Sequence, residues 1–218
     1  MKHLLVPIVV AGSLFAHAQA SHPVSGETKS GTPSITMCIL IDNSGSMSDK
    51  RGGVMAAALA LVRASKPNDE VGIVDFNDEA LNGLPSGEDF TRDTKEMEEA
   101  LRHIDSRGGS AMRDAVRTSI DRVEQTAHNK RKVLVLVTDG NDTSSRVSQE
   151  ELLGKVKNSG VRVYSIGLLN EATPDQAAAA RLALERLADA SGGLAYYPKD
   201  LAELGSISQE IANGVRKQ

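Results

Sequence analysis

The sequence predicts a doubly wound α/β domain: a mainly parallel six-stranded sheet with one antiparallel edge strand and helices on both faces. Three observations carry this. Short apolar runs such as Ile35–Ile41 and Val133–Val137 are nearly continuous, as in strands covered on both faces. Such runs alternate with helical patterns along the chain. One pair of runs, Val71–Phe76 and Ala80–Leu84, is joined only by Asn77-Asp78-Glu79. A parallel crossover needs a dozen residues or more, so this pair is an antiparallel hairpin.

The elements follow in order. Met1-Lys2-His3 is a short basic start, Leu4 to Phe15 an apolar run, and Ala18-Gln19-Ala20 a small-x-small cleavage pattern. Residues 1–20 therefore read as a secretory signal, with an uncleaved N-terminal anchor as the alternative. The apolar run is too short to cross about 30 Å of hydrocarbon as a helix. Residues 21–33, rich in Ser, Gly and Pro, read as a flexible tether. The domain is expected over 34–218. Its strands are Ile35–Ile41, Val71–Phe76, Ala80–Leu84, Val133–Val137, Val161–Ile166 and Leu194–Tyr197. Its helices are near Gly53–Ala64, Thr94–Ile104, Ala111–Thr126, Gln149–Asn158, Pro174–Ala190 and Leu201–Val215. Thr173, Pro174 and Gln176 form a capping box with proline in the first turn, and Gly192-Gly193 ends that helix.

Composition narrows the chemistry. The chain has 218 residues, 40% hydrophobic and 25% charged, with net charge -4. That balance argues against nucleic acid as a partner. Aromatic residues are 3%, with no Trp, so base- or sugar-stacking platforms are not expected. The single Cys38, inside the first strand, excludes an internal disulfide and reads as a buried thiol. With the signal removed, no membrane span is expected.

In open α/β sheets, ligands bind beyond the carboxyl ends of the strands, where strand order reverses. The first strand ends in Asp42-Asn43-Ser44-Gly45-Ser46, and the fourth runs into Thr138-Asp139-Gly140. Arg107-Gly108-Gly109-Ser110-Ala111 enters the third helix. If the first and fourth strands are neighbours, Asp42, Ser44, Ser46, Ser110 and Asp139 converge. Five oxygen ligands suit a hard cation, Mg²⁺ first, with Mn²⁺ or Ca²⁺ as alternatives. Alternate positions along an extended Asp-x-Ser-x-Ser loop point one way, and Gly45 eases the path between them. Gly108-Gly109 permits close approach of the second loop. Each motif alone has a plainer reading: a turn for Asp42–Ser46, a helix cap for Ser110, a strand–helix turn for Asp139-Gly140.

These residues carry a resemblance. DNSGSM, GGSAMRDA and VLVLVTDG resemble the von Willebrand factor type A domain and its metal-ion-dependent adhesion site. VGIVDFND, VRVYSIGL and SGGLAYYPKD are also similar, and the likeness spans about 33–217. The arrangement is most similar to exported bacterial members. The resemblance implies a Rossmann-like sheet in which Ser44 and Ser46 bind the metal directly. Asp42 and Asp139 would bind it directly or through water. Ser110 stands where the family usually has Thr, which keeps the hydroxyl. An open coordination position would accept an Asp or Glu carboxylate from a partner protein.

The expected function is therefore a secreted or periplasmic, metal-dependent protein-binding or adhesion module, monomeric in isolation and not an enzyme. A metal-assisted hydrolase of phosphate esters is the first alternative, but no nucleophile–base pair is identified. A scaffold without a working metal site is the second. Asp75, Asn77 and Asp78 read as hairpin residues near the site, and Asp114 and Asp142 as loop braces. His128 is expected at the opposite sheet end, His22 in the tether, and His103 on the approach to the Gly108-Gly109 loop.

Overall fold

The computed structural model describes residues 33–102 and 106–217. The signal segment, His22, His103 and all of the tether but Pro33 lie outside the described residues.

Six strands form one sheet: β1 (Ile35–Asp42), β2 (Glu70–Phe76), β3 (Ala80–Asn82), β4 (Arg131–Thr138), β5 (Arg162–Gly167) and β6 (Ala195–Tyr196). Their order is β3-β2-β1-β4-β5-β6. β1 is parallel to both β2 and β4, β4 to β5 and β5 to β6, while β3 is the antiparallel edge expected from the short link. Among the described residues six α-helices cover it: α1 (Arg51–Arg63), α2 (Thr94–Arg102), α3 (Met112–Thr126), α4 (Gln149–Ser159), α5 (Pro174–Ser191) and α6 (Leu204–Lys217).

The pleat sorts the core into two layers. Met37, Ile39 and Ile41 of β1 face α1, α2 and α6, packing with Leu61, Leu101 and Ile211. Cys38 and Leu40 face the other way, with Val116 of α3, Leu152 of α4 and Leu184 of α5. Both β1 faces are thus covered, which explains its unbroken apolar run. Burial pushes the Cys38 thiol up to about 12, as expected of an inert core thiol.

Helix starts were legible where the cap is local. Thr173 and Gln176 form the expected box, and Gly192 takes the left-handed conformation (φ 72°) at the C-cap. The start of α3 follows a different logic. Its N-cap position is Ala111, which has no side chain to cap with. Instead Asp142 accepts from the Arg113 N–H at 2.8 Å, and Ser145 Oγ accepts from the Asp114 N–H at 3.2 Å. Asp114 in turn accepts the Arg146 and Val147 N–H groups. Asp114 and Asp142 are therefore the loop braces the sequence implied.

Candidate metal centre

Neighbouring β1 and β4 bring the two strand-end motifs side by side. Ile41 pairs with Val137, so Thr138 stands next to Asp42 one step further along. Asp42 is buried, at 2% exposure. Its Oδ1 accepts the Ser44 N–H at 3.0 Å. Its Oδ2 accepts the Thr138 hydroxyl at 2.6 Å and the Ser110 hydroxyl at 3.3 Å. Ser44 Oγ lies 3.2 Å from Ser46 Oγ. Asp42, Ser44, Ser46 and Ser110 thus form one connected set.

Asp139 sits at its rim. Its Oδ1 accepts the Asn141 N–H at 3.1 Å, and it lines a cleft of about 660 Å³ together with Ser46. It touches the buried set through charge. Burial pushes the Asp42 carboxyl above its ordinary range, the hydrogen bonds from Ser44 and Thr138 only partly offset this, and the Asp139 charge adds to the rise. Among the described residues no ion pair reaches Asp42. Asn43 Oδ1 beside it is buried without a hydrogen-bond partner among those residues, while its Nδ2 donates to Asp75 at 3.3 Å. Burial raises the Asp75 carboxyl as well.

Backbone bonds lock the loops around this cluster. Asn43 N–H donates to Phe76 O at 2.6 Å, Arg107 N–H to Asn43 O at 2.8 Å, and Thr143 N–H to Ser110 O at 2.8 Å. Asp78 accepts from the Gly109 N–H at 3.1 Å and from Ser144 Oγ at 2.9 Å. It therefore joins three loops and does more than turn a hairpin.

The structure corrects two local expectations and excludes one plainer reading. The Asp42–Ser46 loop is extended only to Ser44 (φ −69°, ψ 163°), after which Gly45–Lys50 winds into a 3₁₀ helix. Convergence of the two serine hydroxyls comes from that turn. Gly45 is sterically undemanding: an added Cβ would meet Gly108 O at an ordinary 3.6 Å. Gly108 and Gly109 are the demanding pair, since a Cβ on either would lie 2.6 Å from an Asp78 carboxylate oxygen. Ser110 does not cap α3; its hydroxyl is spent on Asp42.

Sequence reading missed Thr138 as a site residue. The signal was present, a hydroxyl at the last strand position before Asp139, but only the register shows that it faces Asp42. His128 stands, as expected, at the other sheet edge, with Nδ1 3.0 Å from Glu70 Oε1. Among the described residues no three His, Cys, Asp or Glu side chains group as metal ligands, so a metal site here depends on hydroxyls. Among the same residues no helix is long and apolar enough to cross a membrane.

Comparison with known proteins bears on this architecture. A von Willebrand factor type A protein from Catenulispora acidiphila is 22% identical with a TM-score of 0.71. The match covers 84% of this chain and 43% of that one, so this chain spans under half of its length. An aerotolerance-related membrane protein from Bacteroides fragilis is 18% identical with a TM-score of 0.64, covering 83% and 99%. The von Willebrand factor domain of a type V pilus tip protein from Porphyromonas gingivalis is 14% identical with a TM-score of 0.64, covering 86% and 98%. No curated protein matches the sequence at a significant level. The model of the von Willebrand factor type A domain matches residues 37–210. The chain therefore belongs to the von Willebrand factor type A domain family, whose members commonly mediate adhesion or protein–protein interaction.

Proposed function

We propose that this chain is an exported binding module that holds a divalent cation, Mg²⁺ first, and through it engages an Asp or Glu carboxylate of a partner protein. The observation that carries the reading is Asp42: a carboxylate at 2% exposure, held by two hydroxyls and one N–H group, with no cation paired to it among the described residues. A buried charge without a counter-charge is costly unless an ion or a proton completes it. The donor set fits a hard cation, because every candidate ligand is an oxygen and Asn43 Oδ1 beside them has no hydrogen-bond partner among the described residues.

In this reading Ser44, Ser46 and Ser110 offer hydroxyls, and Asp42 and Asp139 ligate directly or through water. Thr138 keeps Asp42 in place, and Asp78 holds the Gly108-Gly109 loop against the site. A bound divalent cation would reverse the sign of an acidic loop cluster that otherwise repels a partner's carboxylate. Export rests on the leader pattern at 1–20. The likeness to the domain of a pilus tip protein agrees with surface adhesion. Binding is favoured over catalysis because the Ser110 and Thr138 hydroxyls face the Asp42 carboxylate, and among the described residues no imidazole base stands beside them, His128 being at the far edge.

Calorimetry with Mg²⁺ and Mn²⁺ tests the metal claim. Wild type is expected to bind, and Asp42→Ala to show no binding heat. Capture of a partner from the exported fraction should be lost on adding chelator. Turnover of generic phosphate esters that vanishes in Asp42→Ala would instead establish the hydrolase reading.

A further inference from the structure

We infer that Lys50 is a positioning residue for the cation site: its buried ammonium clamps the Ser46 peptide and ties the serine-bearing turn to the loop between β5 and α5. This rests on the proposed cation site at Asp42, Ser44, Ser46, Ser110 and Asp139.

Lys50 closes the 3₁₀ helix Gly45–Lys50 that carries Ser46. It is 7% exposed, unusual for a lysine. Its Nζ donates to Ser46 O at 3.1 Å and pairs with Glu171 Oε2 at 2.8 Å. Glu171 is largely solvated, with 65% of its side chain exposed, so this pair alone is a weak reason to bury an ammonium. An apolar side chain would fill the same space without desolvating a charge. What only the ammonium supplies is a donor to the Ser46 carbonyl. Fixing that carbonyl fixes the peptide from which the Ser46 hydroxyl projects, 3.2 Å from Ser44 Oγ. Groups that orient ligands without touching the metal commonly matter about 10–100-fold in affinity. Glu171 and Lys50 both line the cleft that Asp139 and Ser46 share, so the clamp joins two of its walls.

A plain electrostatic role predicts the opposite sign. An ammonium beside a cation site repels the cation, so removing it should strengthen binding. Calorimetric Mg²⁺ titration of wild type, Lys50→Met, Lys50→Arg, Glu171→Gln and Lys50→Met/Glu171→Gln separates the two, with circular dichroism confirming that each variant is folded. Lys50→Met is expected to weaken Mg²⁺ binding about tenfold or more. Lys50→Arg, which keeps a cationic donor, is expected to recover most of it. Glu171→Gln should weaken binding in the wild-type background and change nothing once Lys50 is Met, because the two act through one clamp. Unchanged or tighter binding in Lys50→Met would overturn the inference, as would an equal loss from Glu171→Gln in both backgrounds. Failure of wild type to bind Mg²⁺ would overturn the underlying site, and the clamp with it; that result appears in the wild-type titration alone.

Discussion

The two edges of the sheet bury carboxylates of the same kind in opposite ways. At the carboxyl edge Asp42 is 2% exposed and, among the described residues, meets only hydroxyls and an N–H group. At the amino edge Asp69 and Glu70 are 1% and 5% exposed, and both meet cations. Asp69 is paired with Arg216 of α6 and accepts the Ile35 N–H at 3.0 Å. Glu70 faces Arg92 at 2.8 Å and His128 at 3.0 Å, and accepts the Thr36 hydroxyl at 2.8 Å. Cations also reach helix-end carbonyls there: Arg131 donates to Arg216 O at 2.8 Å and Lys132 to Glu124 O at 3.3 Å. One edge has its buried charge neutralised by the chain itself. The other leaves a charge that no described residue neutralises, and that difference is what the proposed cation site would use.

The contrast breaks most visibly if the amino edge is stripped of a cation. Arg216→Ala leaves the Asp69 carboxylate buried and unpaired, and should cost about 3–5 kcal/mol in denaturant unfolding. A loss near zero would mean that the two edges do not differ as described. At the carboxyl edge, Thr138→Val removes a donor to Asp42 and the acceptor of the Gly140 N–H at 2.9 Å. It should cost about 1–3 kcal/mol and weaken Mg²⁺ binding without abolishing it.

Acid titration sharpens the comparison. Burial pushes Glu70 up, but the bonds from Thr36 and the His128 N–H, with the His128 and Arg92 charges, outweigh it and hold the carboxyl below its ordinary range. Its stabilisation is therefore present above the ordinary carboxylate value and lost as pH falls through the depressed one. Thermal midpoints of wild type should fall on acidification below about pH 5, and Glu70→Gln should flatten part of that fall. The smallest effect is expected at Gly45. Gly45→Ala should change stability by no more than about 0.5 kcal/mol, because the added methyl group meets only ordinary contacts.

Most of the fold was legible because the deciding signals are local. The apolar runs, the three-residue link before Ala80, and the Thr173–Gln176 box each lie within one short stretch. The carboxyl-edge cluster was legible because strand ends in a doubly wound sheet are forced together. What escaped depends on partners distant in sequence. Thr138 needs the β1–β4 register to be seen facing Asp42. The α3 cap comes from Asp142 and Ser145, some thirty positions away. The 3₁₀ winding after Ser44 is followed by Lys50 turning back onto the Ser46 carbonyl, a contact that no pattern of residue types announces.

The proposed reading is that the buried Asp42 charge awaits a cation. It is tested most directly by thermal midpoints of wild type and Asp42→Asn with and without Mg²⁺. Without metal, Asp42→Asn should melt above wild type, since it removes an uncompensated buried charge. Saturating Mg²⁺ should raise wild type by several degrees and leave Asp42→Asn unmoved. A wild type indifferent to Mg²⁺, or an Asp42→Asn variant that responds equally, would contradict the account.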